Sequence, residues 1–216
     1  MSHFIKTTRN RVKRLPERAA YDHETIYKIL DEALICHVGI AQDNQPFVIP
    51  TIHVRRGDTL LLHGATTSRL LQHIQAGNPI CVTVTLIDGL VVARGVFHNS
   101  MNYRSVVLFG VGHILDDPDA KNRALHALTE RLMPGRWDDA RLPSKKELKA
   151  TTIIELPIES ATAKIRAGGP KDDAEDYERE WWAGVIPLEQ KFLAPQSDPK
   201  LRSGIPVPSY VKNFKR

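Results

Sequence analysis

Two cysteines in 216 residues, Cys36 and Cys81, are too few for a disulfide framework, and each sits in an apolar run where cysteine behaves as a small buried hydrophobe. Free thiols are expected. No apolar stretch is long enough to span a bilayer, and the basic opening MSHFIKTTRNRVKR has no apolar core behind it, so it does not read as a secretory signal. A cytoplasmic protein with no membrane contact is expected. Cys36-His37 is adjacent and the other histidines fall on separate strands and turns, a spacing that offers no metal-ligand pattern. No metal is expected, and no repeat period is visible.

The net charge of +5 is modest and much of it lies at the ends, on Lys6, Arg9, Arg11, Lys13, Arg14 and Arg18 and on Lys212, Lys215 and Arg216. These arms lack interleaved aromatics, which argues against nucleic-acid binding. The length suffices for one well-buried core. Residues 21–167 read as one domain, residues 1–20 as a basic N-terminal arm, and residues 168–216 as a Pro-rich arm laid on the body or on a partner subunit. The adjacent Trp181-Trp182 in that arm is expected to be covered.

Asp22 is a helix N-cap before Ile26, Ile29, Leu30, Ala33 and Leu34, a helical stripe ending near Ile35. The period then changes. Cys36–Ala41, Phe47–Val54 and Thr59–His63 read as strands of an antiparallel meander, and Asp88-Gly89 reads as a two-residue turn between strands Ile80–Ile87 and Leu90–Phe97. Arg94 on the mixed face of that hairpin needs a partner. Tyr103–Leu115 follows with a bend at Gly110 and Gly112, then a helix from Pro118 to Leu132, a short helix near Ser144, and strands Thr151–Ile158 and Ala161–Arg166. The fold class is mainly β with flanking helices, closed as a small antiparallel Greek-key barrel.

Between Asp58 and Gly77 a short strand runs into a helix whose start carries Thr66, Thr67, Ser68 and Arg69. Helix N-termini present unpaired N–H groups and positive dipole, so hydroxyls and a guanidinium there suit a phosphate; an ordinary N-cap with a solvated arginine is the alternative. Pro50, mid-strand, removes one ladder donor and points to an edge where a planar ligand can lie.

The segments Gln45–Thr51, His63–Arg69, Asp88–Arg94 and Phe97–Ser105, in this order, resemble the pyridoxamine 5'-phosphate oxidase-like flavoproteins, in the nitroimidazole-reductase-related branch of the FMN-binding split barrels. The resemblance covers about residues 18 to 166 and reaches Trp182–Leu188. It implies a six-stranded antiparallel split barrel, a homodimer and two FMN sites at the dimer interface. It places the FMN phosphate on Thr66, Thr67, Ser68 and Arg69, and the flavin ring against the backbone of Val48, Ile49, Pro50 and Thr51. It brings Asn102, Arg104 and Ser105 towards the flavin, with the partner subunit as one possible source.

The function so implied is an FMN-dependent oxidoreductase reducing a small electron acceptor, nitroaromatic or quinone-like, with NADH, NADPH or another donor. A flavin carrier without turnover and a haem-binding member of the same barrel are the alternatives. Arg104 or Arg94 is a candidate for the N1–C2 edge of the ring. His63 is the candidate proton carrier, and a hydrogen-bonded structural histidine is its other reading. The C-terminal Arg-x-His element of true pyridoxamine phosphate oxidases is missing, which argues against a role in vitamin B6 synthesis.

Overall fold

The computed structural model describes residues 2–215, and Arg216 of the basic C-terminus lies outside them. Asp22 caps the first helix, α1 (His23–Glu32): its carboxylate accepts the Thr25 N–H at 2.8 Å, while Ile26, Ile29 and Leu30 enter the core. The helix ends before the expected Ile35 because Ile35 already pairs with Ile52 in the sheet.

Among the described residues ten strands follow in order: β1 (Ala19–Ala20), β2 (Ile35–Gln42), β3 (Gln45–Arg56), β4 (Thr59–Ala65), β5 (Ile80–Val92), β6 (Ser100–Gly110), β7 (His113–Ile114), β8 (Thr151–Pro157), β9 (Ser160–Arg166) and β10 (Gly184–Pro187). The later helices are α2 (Arg69–Gln75), α3 (Pro118–Leu132), α4 (Lys145–Ala150) and α5 (Ser209–Lys212). The strands lie in the order β1-β9-β6-β5-β2-β3-β4-β8-β7, with β10 added on β5, and every pairing is antiparallel. The chain forms the expected split barrel of mainly antiparallel strands with flanking helices.

Local sequence explains most of these elements. Asp43 and Asn44, at φ 51° and 58°, make the left-handed two-residue turn between β2 and β3. Alternation along β4 divides its leucines: Leu60 and Leu62 join the barrel core, and Leu61 joins a second cluster with Val54, Ala124, Leu128 and Ile153 beneath α3. Gly112 lets the chain cross tightly after β6, since a Cβ there would stand 2.7 Å from the Ile154 side chain.

One expected feature is absent. Asp88-Gly89 is not a turn, because β5 runs through it as a single strand with a register shift between Ile87 and Gly89 where it pairs β6. The C-terminal arm accounts for the glycine: β10 pairs Gly184–Pro187 with Val92–Gly89, and a Cβ on Gly89 would meet the Ile186 carbonyl oxygen at 2.7 Å. A turn signal read locally is overridden by a strand about a hundred residues away. The expected strand end at Phe97 is lost as well, since Val96–His98 is a turn of 3-10 helix with Phe97 94% exposed.

Both termini lie on the body. Phe4 is buried and stacks on His23 at 4.0 Å, and buried Asn10 donates to the Ala161 carbonyl. At the other end Trp181 and Trp182 are 59% and 66% exposed, so the described residues leave more than half of each open.

Candidate functional site

The split between the two halves of the barrel opens along β3. Its residues Gln45–Ile52 pair with β2 on one edge, whereas pairing with β4 on the other is confined to His53–Arg56. The second edge of Gln45–Ile52 therefore carries no strand, and alternate residues there present main-chain groups outward. Val48 is 66% exposed and Pro50 is exposed, while Phe47 and Ile49 pack on the core.

β4 stays paired with β8 to its end at Ala65, Thr66-Thr67-Ser68 then turn into α2, and Arg69 folds back so that its guanidinium lies 3.9 Å from the centre of the Phe47 ring. That contact joins the two halves of the expected site. Thr66 and Thr67 are exposed, and neither Arg69 nor these hydroxyls makes a hydrogen bond within the described residues. Arg69 is thus held by its flat face, with its edge donors available. Ser68 is the N-cap, its Oγ accepting the Leu71 N–H at 3.3 Å, which leaves its O–H as a donor. Since α2 spans only Arg69–Gln75, its dipole is small, and the guanidinium and hydroxyls supply the anion affinity instead.

His63 lies just past the stretch of β4 that pairs with β3, opposite Ile153 of β8 and on the same face as Leu61. Burial pushes its pKa down, and its Nδ1 is buried without a hydrogen-bond partner. The neutral imidazole is the form that burial favours.

The third expected group lies elsewhere. Strands β5 and β2 separate β6 from β3, a distance of about 14 Å at three strand spacings. Asn102 is buried, where its amide donates to the Gly168 carbonyl at 3.1 Å and its Oδ1 accepts from Arg166. Ser105 donates to the Lys164 carbonyl at 3.2 Å. Arg104 bridges Asp88, at 2.6 Å, and Glu32 at the end of α1, at 2.7 Å. Arg94 is engaged too: buried Asp172 accepts from its guanidinium at 3.3 Å, from its own N–H at 2.8 Å and from the Gly95 N–H at 3.0 Å. Burial alone would raise the Asp172 carboxyl, but these donors outweigh it and hold it below the ordinary range. One chain therefore assembles Val48–Thr51 with Thr66–Arg69 and leaves Asn102, Arg104 and Ser105 in structural bonds.

The Arg104 bridge has a pH signature. Hydrogen bonds from its guanidinium hold the Glu32 carboxyl below the ordinary value of 4.5, against opposing desolvation. A depressed carboxylate contributes fully above its unfolded pKa, and the contribution is lost as pH falls through the folded value. Melting temperature should therefore drop as the buffer is taken below pH 4.5, and Glu32→Gln should flatten that part of the profile. An identical acid limb in the variant would assign no role to the pair.

Sequence reasoning missed Arg166, which is buried and donates to the Gly168 and Gly169 carbonyls at 3.1 and 3.0 Å, fixing where the C-terminal arm leaves β9. It also missed Asp172, the partner of Arg94. The single available signal was the Lys171-Asp172-Asp173 run after Gly-Gly-Pro, which resembles any solvated loop.

Residues 22–165 match the model of the family described as pyridoxamine 5'-phosphate oxidase. No curated protein matches the chain. Among solved structures, a flavocytochrome from Azotobacter vinelandii is 39% identical with a TM-score of 0.92, over 97% of each chain. The FAD and haem binding protein from Mycobacterium smegmatis is 37% identical with a TM-score of 0.86, over 90% of this chain and 95% of that one. A candidate 5-nitroimidazole antibiotic resistance protein from Bacteroides thetaiotaomicron is 24% identical with a TM-score of 0.58, over 68% of this chain and 86% of that one.

Proposed function

The chain belongs to the pyridoxamine 5'-phosphate oxidase family of flavin-binding split barrels, and from that premise we propose that it is a flavin-dependent oxidoreductase. The observation that carries this reading is Arg69, pinned by its face to Phe47 with free donors, beside the open edge of β3. Those residues fit a flavin. Thr66, Thr67, Ser68 and Arg69 would hold its phosphate, and the backbone of Val48, Ile49, Pro50 and Thr51 would hold the ring edge. The bound flavin supplies hydride or electron transfer to a small acceptor, nitroaromatic or quinone-like, with NADH or NADPH as donor.

The protein's part is orientation and exclusion of water. Burial shifts His63 towards its neutral form, in which one ring nitrogen can donate and the other accept. With Val48, Pro50, Thr66 and Thr67 open to solvent, one chain supplies one wall of the site. A second copy is the economical other wall, and the exposed Trp181 and Trp182 gain their cover from the same association. The active species is accordingly proposed as a homodimer, with no role for nucleic acid or a membrane; no helix among the described residues is long and apolar enough to cross one.

The two relatives above 35% identity favour a second reading, FAD in place of FMN together with a haem, because one is named a flavocytochrome and the other an FAD and haem binding protein. His37 is the histidine that fits a haem wall. It is exposed beside Pro50 on the outward face of β2, near exposed Ile35 and Val48. The absorption spectrum of the purified protein, with identification of the released flavin, tests both readings. Flavin bands are expected, and a haem Soret band lost in His37→Ala would support the second. A colourless protein that takes up neither FMN nor FAD would overturn the proposal.

A further inference from the structure

The C-terminal arm brings two carboxylates to a histidine that sequence spacing keeps apart. His98 ends the 3-10 turn Val96–His98 between β5 and β6, and Asp173 and Asp176 flank the start of the 3-10 turn Ala174–Glu178. One ligand atom from each of His98, Asp173 and Asp176 lies within 4.8 Å of the others. The His98 Nε2 is 3.2 Å from an Asp173 carboxylate oxygen.

We propose that these three residues form a binding site for a divalent transition cation of the zinc class. The donor set of one imidazole nitrogen and two carboxylate oxygens is the chemistry such ions take. Two ligands at bond lengths of 2.0–2.2 Å around a tetrahedral ion stand about 3.4 Å apart, and the His98–Asp173 separation meets that spacing. The Asp176 carboxylate lies within 4.8 Å of both and supplies the third ligand atom.

Three features favour a cation over a chance meeting of side chains. The Asp176 carboxylate makes no hydrogen bond or ion pair among the described residues, and the nearby guanidinium of Arg94 is committed to Asp172. The two converging carboxylates therefore have only an imidazole between them. The cradle is also kept open by a glycine: a Cβ on Gly95 would stand 3.1 Å from both the Asp176 Oδ2 and the His98 ring. Finally, the two segments are already locked together by buried Asp172 on the Arg94 and Gly95 N–H groups, so an ion meets ligands whose backbones are placed in advance.

Asp173 is largely exposed, so the remaining coordination positions face water. Such a site joins the C-terminal arm to the β5–β6 connection. It is independent of the flavin reading, since none of its residues lies at the β3 edge.

Calorimetric titration of the full-length protein with zinc chloride, after chelator treatment, tests the site. One ion per chain is expected, with affinity falling at least tenfold in His98→Gln and in Asp176→Asn and unchanged in Glu175→Gln. Zinc should also slow amide exchange across residues 96–98 and 173–176, a readout that needs no activity. Absence of binding at millimolar zinc, or binding that both His98→Gln and Asp176→Asn leave intact, would overturn the proposal.

Discussion

Arg69→Ala should weaken FMN and FAD binding by about one to two orders of magnitude while leaving riboflavin almost unaffected. Hydrogen bonds to a charged partner contribute roughly 1.5–3 kcal/mol, and a phosphate held by the Arg69 edge loses that bonding with the side chain. Riboflavin has no phosphate to lose. The Phe47 contact makes the test sharper, because the guanidinium is oriented without help from another carboxylate. Arg69→Lys should fall between wild type and alanine, since an ammonium keeps the charge but not the planar fork. Equal weakening of phosphorylated and unphosphorylated flavins would identify Arg69 as a residue that merely steadies the start of α2.

Gly89→Ala should release the C-terminal arm. The new Cβ would sit 2.7 Å from the Ile186 carbonyl oxygen and 3.2 Å from Pro187 Cα, both backbone atoms of β10 that cannot move independently of the strand. Overpacking of this kind costs about 1–3 kcal/mol, and it falls on a strand of only four residues. Pairing of Gly184–Pro187 with Val92–Gly89 and the bond from the Leu188 N–H to the Asp88 carbonyl would be lost together. Limited proteolysis should then cut the arm between residues 179 and 191 well before the barrel. An arm as resistant as that of the wild type would show that Ala is accommodated and that β10 is not held by this close approach.

The same glycine marks where sequence reading fails. Asp88-Gly89 carries the chemistry of a hairpin turn, and nothing nearby contradicts it; the reason for the glycine lies in β10, which short-range patterns do not connect to it. Elements set by their own residues were legible: the Asp22 cap, the β2–β3 turn at Asp43-Asn44, the Pro118 start of α3 and the Ser144 capping box with Glu147. So was the strand Thr59–His63, whose Leu60 and Leu62 are buried in the barrel core. The Thr66–Arg69 half of the site was visible as hydroxyls and a cation at a helix start. Its attachment to β3 through Phe47 was not, because it depends on how two strands part. The resemblance, not a local pattern, suggested Asn102 and Arg104 as ligand groups, and within one chain each has partners of its own. Those partners, Arg166 and the acids Glu32 and Asp88, come from distant elements that no local signal identifies. Asp172 and Asp173 were hidden in the same way, inside an arm whose composition suggests only solvent exposure.

The claim on which the functional reading rests is the place of the flavin, along the unpaired edge of β3 and against Thr66–Arg69. Amide hydrogen exchange with and without saturating FAD addresses it directly. Exchange at Val48, Ile49 and Thr51 and at Thr66–Arg69 should slow on binding, with little change along β9. Bound flavin that leaves these amides exchanging at their free rates would contradict the account.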